Sequence, residues 1–168
     1  MKDLIDKVGS YNIFNYLIPG VVYSVLISKW ENIDFVQDDL LTGAFLYYLI
    51  GLIISRIGSL FVKPILDFVG FVKDEPYEDF VDASEKDSKI DKLSEVNNTY
   101  RTLIALFLSM LITKGVIVLY ELLKLNSDLK WILSCVGLFV LFLFAYRKQS
   151  KFITKRIRHQ KNKNQDGK

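Results

Sequence analysis

The sequence predicts an all-α protein: an integral membrane four-helix bundle with a short cytoplasmic helical hairpin between spans two and three. Three observations lead there. Residues 11–30, 40–62, 103–123 and 129–146 form four apolar stretches. Each comes close to the twenty or so residues that a helix rising ~1.5 Å per residue needs to cross ~30 Å of hydrocarbon. The one long polar stretch, residues 74–102, is shorter than the ~50 residues that fold independently. Lys and Arg gather on one side of the resulting spans, as they do where a membrane sets orientation. The chain therefore divides into residues 1–63 with spans one and two, a cytoplasmic appendage at 64–101, spans three and four within 102–146, and a basic cytoplasmic tail at 147–168.

Span one opens with the phrase Ser10-Tyr11-Asn12-Ile13-Phe14-Asn15-Tyr16-Leu17-Ile18-Pro19-Gly20. Ahead of it, Asp3 and Asp6 offset Lys2 and Lys7, and no small-x-small cleavage site precedes Trp30. The segment is expected to be retained rather than removed as a signal peptide. Asn12 and Asn15 lie three apart and share a helix face. An amide facing lipid without partners is costly, so both are expected at the cytoplasmic surface, capping the helix start, or around a pore mouth. Pro19 removes a backbone bond to Asn15 and predicts a kink, which makes Pro19 and Gly20 candidate gate residues.

Span two carries Gly51, Ser55 and Ser59 at four-residue spacing, with Gly58 beside them. Such small-residue stripes let helix backbones approach closely in lipid. The spacing fits packing inside one bundle and packing between subunits equally, so the four are candidate oligomer-packing residues. Arg56 lies near the cytoplasmic end, where it can snorkel. Pro64 bends the chain past span two, and the apolar run 65–72 suits the membrane surface.

In the appendage, Asp74-Glu75-Pro76 reads as a helix start with Asp74 as cap. Tyr77, Phe80 and Val81 then form an apolar stripe and are the candidate partner-binding residues. Ser88 with Asp91 is a second start, and that helix is expected to run toward span three. The carboxylates from Asp74 to Asp82 lack the ligand spacing of a calcium loop. They read as a solvated acidic face that can also meet the basic tail of a neighbour.

Span three holds Lys114 midway, with Glu121 two turns on. An intramembrane charge marks function by default, so Lys114 joins the pore candidates. Its bland alternative is a lysine stretched to the outer surface or paired with another helix. Span four contains Cys135, the only cysteine, so no intrachain disulfide forms and the thiol is a small apolar filler.

Seventeen Lys and Arg fall on the side of the termini and three on the other, which places both termini in the cytoplasm of a bacterial inner-membrane protein. Trp30 and Trp131 then both lie at the outer surface, beside an acidic loop at 31–39. The tail residues Arg147, Lys148, Lys151, Lys155, Arg156 and Arg158 suit anionic lipid, and equally the phosphates of a nucleic-acid or oligonucleotide ligand.

His159 is the only histidine, which excludes a histidine triad or a multi-histidine metal site within one chain. No Walker A, dinucleotide-binding or paired-cysteine motif is present. No catalytic residue, metal ligand or cofactor is therefore assigned, and the chain is not expected to be an enzyme.

The opening phrase, together with four spans and a cytoplasmic hairpin, resembles the small membrane effector subunits of bacterial anti-phage defence systems. The transmembrane subunits of the Hailong and Kiwa systems and the four-span effectors of cyclic-oligonucleotide signalling share that layout. The resemblance implies an oligomeric channel or pore held shut until infection and controlled by a cytosolic partner or nucleic-acid ligand. It carries over no binding residues. The expected function is thus a homo-oligomeric inner-membrane pore or ion channel that uses Asn12, Asn15 and Lys114. The alternative is a non-conducting membrane anchor or scaffold that recruits a cytosolic defence enzyme.

Overall fold

The computed structural model describes residues 10–31 and 33–166. The expectation about residues 1–9 and the charges Lys2, Lys7 and Lys168 fall outside the described residues. Among the described residues every regular element is helical. After one turn, Ser10–Asn12, the chain forms α1 (Ile18–Glu31), α2 (Leu40–Ile57), α3 (Lys63–Phe68), α4 (Tyr77–Lys86), α5 (Ser88–Leu122) and α6 (Ser127–Asp166). Four helical stretches, Ile13–Glu31, Leu40–Phe68, Ser88–Leu122 and Ser127–Lys163, are long and apolar enough to cross a membrane.

Two π-helical turns, Ile13–Leu17 and Gly58–Val62, make the first and second of these stretches continuous. Each stands directly ahead of a proline. The Ile18 N–H bonds Ile13 O, and Pro19 follows; the Lys63 N–H bonds Gly58 O, and Pro64 follows. A proline inside a helix lacks a donor and its ring collides with the carbonyl four residues back. Widening the preceding turn by one residue removes that collision. The sites where kinks are expected, Pro19 and Pro64, each follow a π-turn, and the helix runs on through both.

The polar appendage and the tail are more helical than the hydropathy shift suggests. α5 runs unbroken for 35 residues, about 52 Å. α6 runs for 40 residues, about 60 Å, so the basic tail is the same rod as span four. α4 begins at Tyr77 with Pro76 as its cap residue. Asp74 is not the cap; it pairs with Lys63 instead. At the start of α5 the cap is Asp87, whose carboxylate accepts from the Lys89 N–H at 2.9 Å, rather than Ser88.

α3 and α5 end alike. Gly70, at φ +72°, follows α3, where the Gly70 N–H bonds Asp67 O and the Phe71 N–H bonds Leu66 O. Lys124, at φ +50°, follows α5, where its N–H bonds Glu121 O and the Leu125 N–H bonds Tyr120 O. Both are the Schellman stop, which favours glycine at the left-handed position.

The tertiary bonds fix the helix directions. Gly51 lies against Tyr16 O and Gly20 against Tyr47 O, so the first helix and α2 run antiparallel. Asn15 meets Thr102, Tyr23 meets Thr113 at 2.5 Å and Glu31 meets Lys114, so the first helix and α5 run parallel. Tyr120 meets Ser134, which sets α6 antiparallel to α5. The result is an up-down-up-down bundle. Its near end holds Asn15, Ser55, Thr102 and Tyr146; its far end holds Trp30, Trp131 and the α1–α2 and α5–α6 connections.

The core lies toward the near end, where Ile54, Val62, Ala105 and Leu106 are buried together, with Val22, Tyr23, Ile50 and Ile57 against them. Two glycines set the spacing of the first two helices. A Cβ on Gly20 would sit 1.7 Å from Tyr47 O, and one on Gly51 would sit 1.7 Å from Tyr16 O. Only glycine allows backbones this close, and close approach is what holds helices together in lipid. Gly58 does the same job against α5, where its Cβ would meet Ala105 Cβ at 3.1 Å and Arg101 O at 3.2 Å.

Candidate functional site

A polar junction ties three helices together at the near end of the bundle. Asn15 is 1% exposed and sits in the first π-turn. Its Nδ2 donates to Ser55 Oγ at 3.3 Å, and its Oδ1 accepts from Thr102 Oγ1 at 2.7 Å. Thr102 is fully buried and also lies 2.9 Å from Asn98 O. A threonine hydroxyl has one proton to give, so the shorter distance assigns it chiefly to Asn15. All three groups are satisfied within the chain, as buried amides and hydroxyls must be in an apolar medium.

Around this junction stand the cations of the near end. Arg56 reaches Tyr16 OH at 3.4 Å, its one hydrogen bond among the described residues. Arg101 lies against Gly58, and its Nε is buried with no hydrogen-bond partner. Lys148 Nζ donates to Ser59 O at 2.5 Å. That bond has a local cause. In the five-residue spacing of the π-turn, Pro64 would be the donor to Ser59 O, and proline has no N–H. Lys148 of α6 satisfies the orphaned carbonyl. Lys63 is held by two carboxylates, Asp67 at 3.2 Å and Asp74.

A second polar contact joins α4 to α6. Arg156 pairs with Glu85 at 2.9 Å, and Lys163 bridges Asp82 at 3.0 Å and Glu85 at 2.9 Å. His159 Nε2 lies 3.0 Å from Asp82, and Gln160 donates to Glu85 at 2.9 Å. The Tyr77 and Phe152 rings pack at 5.8 Å between centroids. The hydrogen bond with His159, then that from Lys163, holds the Asp82 carboxyl down at about 2. Glu85 is also held below the ordinary carboxylate range, chiefly by its bond from Lys163. The acidic face of α4, expected to be solvated or to meet a neighbour's tail, meets the tail of its own chain.

α6 consequently has two faces beyond the apolar span. Lys148, Phe152, Arg156, His159 and Lys163 point into the chain. Arg147, Lys151, Lys155 and Arg158, with Tyr146, Ser150 and Thr154, line an open groove of about 550 Å³ on the other side. None of those four cations has an ion pair among the described residues.

Of the residues singled out in sequence, Lys114 and the Gly51 stripe take the paired and intra-bundle alternatives expected for them, whereas Asn15 and the α4 stripe are placed otherwise. Asn15 neither caps the helix at a surface nor lines an opening; it is a core residue. Asn12 is half-buried one turn earlier. Pro19 and Gly20 are buried at the contact with α2. Lys114 donates to the Glu31 carboxylate at 2.7 Å toward the far end, so it is a paired lysine rather than a free intramembrane charge. Gly51, Ser55 and Gly58 face the chain's own helices, which removes that face from packing against another copy; Ser59 is half-buried and gives its carbonyl to Lys148. Val81 is 2% exposed, Tyr77 packs on Phe152 and Phe80 is half-buried. The apolar stripe of α4 therefore faces inward and is not free for a soluble partner.

Sequence reasoning missed Thr102, Arg101 and the α4–α6 contact. Thr102 carried one signal, a hydroxyl at the polar edge of span three, in phase with Leu106 and Ser109 on one helix face. For Arg101 the signal was its place at the polar edge of a span, four residues before Ala105. No protein family, curated protein or solved structure matches this chain.

Proposed function

We infer that the chain is a multi-pass membrane anchor. It crosses the bacterial inner membrane four times with both termini in the cytoplasm. There it presents a charged module, α4 clasped to the projecting part of α6, to a soluble acidic partner. The observation that carries this reading is the division of labour among the polar residues. Asn15 and Gly20 are occupied inside the bundle, and Lys114 is paired with Glu31. Arg147, Lys151, Lys155 and Arg158 stand open in one row. Such a row attracts an acidic surface through summed charge. The reading assigns no catalysis to the chain.

Two measurements test it. Purified chain reconstituted into liposomes is expected to leave a potassium gradient intact; flux above that of empty liposomes overturns the anchor. In a Cys135→Ser background, an impermeant maleimide on intact spheroplasts should label Asp128→Cys and spare Ser150→Cys. The opposite pattern overturns the orientation.

A second reading, a homo-oligomeric pore gated by a partner or a nucleic-acid ligand, has one observation in its favour. Residues 131–140 of α6 are exposed on every side, and a Cβ on Gly115 or Gly137 would touch nothing within 4 Å. A conducting path would then run between copies, lined by α5 and α6 and not by Asn15. That architecture agrees with the resemblance to anti-phage effectors. The flux measurement decides it, and protection against phage on expression with neighbouring genes tests the defence role.

A further inference from the structure

We propose that Arg56, Arg101 and Lys148 form a binding site for a phosphate group, carried by an anionic phospholipid headgroup or by a soluble phosphorylated ligand. The inference rests on the membrane reading above only for the lipid source.

The cations come from three helices, so the site is a product of the fold and of no single motif. Arg56 belongs to α2, Arg101 to α5 and Lys148 to α6. Lys148 Nζ bonds Ser59 O and Arg101 lies against the adjacent Gly58, two residues after Arg56 in the same helical stretch, so the three cations share one neighbourhood with Lys63. Like charges gathered by folding repel, and such an arrangement persists where an anion joins them. Among the described residues the carboxylates in range are Asp67 and Asp74, and both are bonded to Lys63. Four cations against two anions leave an excess of two positive charges, and none of Arg56, Arg101 and Lys148 has an ion pair among the described residues.

The hydrogen-bond inventory points the same way. Arg101 Nε is a buried donor without an acceptor among the described residues, and a buried unmade bond to a charged group is the exception in folded proteins. Lys148 has one proton committed to Ser59 O and two to give. Among the described residues Arg56 has only the long contact to Tyr16. Two guanidinium forks and an ammonium supply the directed donors that a tetrahedral oxyanion accepts. Position adds a reason for a lipid source. Lys148 stands two residues past the last residue of the apolar stretch ending at Tyr146, which is headgroup level for a helix leaving the hydrocarbon.

The test uses the full chain in detergent micelles. Native mass spectrometry with equimolar phosphatidylglycerol and phosphatidylcholine is expected to show retention of the anionic lipid. Arg101→Gln and Lys148→Gln should each lower that retention about tenfold. Arg147→Gln/Lys151→Gln, on the open face of α6, should leave it unchanged. In a parallel arm, millimolar inorganic phosphate raises the thermal midpoint of the wild type and not of Lys148→Gln if the soluble source is real; a response in the lipid arm alone assigns the headgroup. Circular dichroism confirms folding, and Lys148→Gln carries the comparison if Arg101→Gln does not fold. Equal retention of both lipids with no phosphate effect overturns the site, as does equal loss in the open-face control. Protein that stays monodisperse without detergent sinks the membrane reading, and the phosphate arm then decides the site alone.

Discussion

The near half of the bundle and the far half of α5 and α6 have similar composition and opposite packing. At the near end, Gly20 and Gly51 bring backbones into contact, Asn15 bonds two other helices, and Ile54, Ala105 and Leu106 are buried. At the far end, residues 131–140 are exposed on every side, although Ile132, Leu133, Val136 and Phe139 are as apolar as anything in the core. Among the described residues, Thr113 to Tyr23, Lys114 to Glu31 and a 3.5 Å contact between Tyr120 and Ser134 are the bonds between side chains that join helices there. The difference teaches that greasiness alone does not join these helices. In lipid an apolar side chain gains nothing by leaving acyl chains for another helix; close backbones and internal hydrogen bonds do the joining.

Glycine substitutions give the largest test of that contrast. Gly51→Leu drives a side chain into Tyr16 O and is expected to destabilise the fold by at least ~3 kcal/mol. Gly137→Leu, on the open half, should change it by less than ~0.5 kcal/mol. Thermal midpoints in detergent read both; equal effects would erase the distinction between the halves. Asn15→Leu comes next. It removes two bonds and leaves Thr102 to turn its proton to Asn98 O, at an expected cost of about 1–2 kcal/mol. Thr102→Val in the same background should then add little, because the pair acts as a unit.

Acid sharpens the comparison in a third region, the α4–α6 contact. Asp82 titrates at about 2 and Glu85 below its ordinary value. Their contribution is complete above the usual carboxylate range, near pH ~4. It is lost as pH falls through that range toward about 2. Spin labels on Glu78→Cys and Lys155→Cys, with Cys135→Ser, should keep their separation at pH 5 and move apart at pH 2. The smallest effect belongs to Lys114→Met. The lysine side chain is 59% exposed and its partner Glu31 14%, so loss of the pair should cost no more than about 1 kcal/mol, again read as a thermal midpoint.

The four long helices were legible because hydropathy over twenty residues is a strong signal, and the helical class followed from it. What occupies each face was not. The stripe of Gly51, Ser55 and Gly58 announced a close contact, yet the partners Tyr16, Asn15 and Arg101 lie tens of residues away in the chain and share no local pattern with it. Asn15 looked like a surface or pore amide because its satisfaction depends on Ser55 and Thr102. The continuation of α6 past Tyr146 was hidden by the change from apolar to basic residues. The absence of Gly or Pro between Phe139 and Asp166 was the better guide, since backbone propensity and not polarity ends a helix. Lys124 in a left-handed stop carried no signal at all, whereas its twin Gly70 did.

The unbroken length of α6 has a mechanical consequence. About half of its ~60 Å extends beyond the apolar stretch, and a helix of this kind bends little. A tilt of about 10° at the lipid boundary would carry its outer tip some 5 Å sideways, farther than the bonds that Arg156 and Lys163 make with Glu85 can stretch. Whatever leans on the outer tip therefore pushes on the membrane segment as well, as a hand on an oar moves the blade.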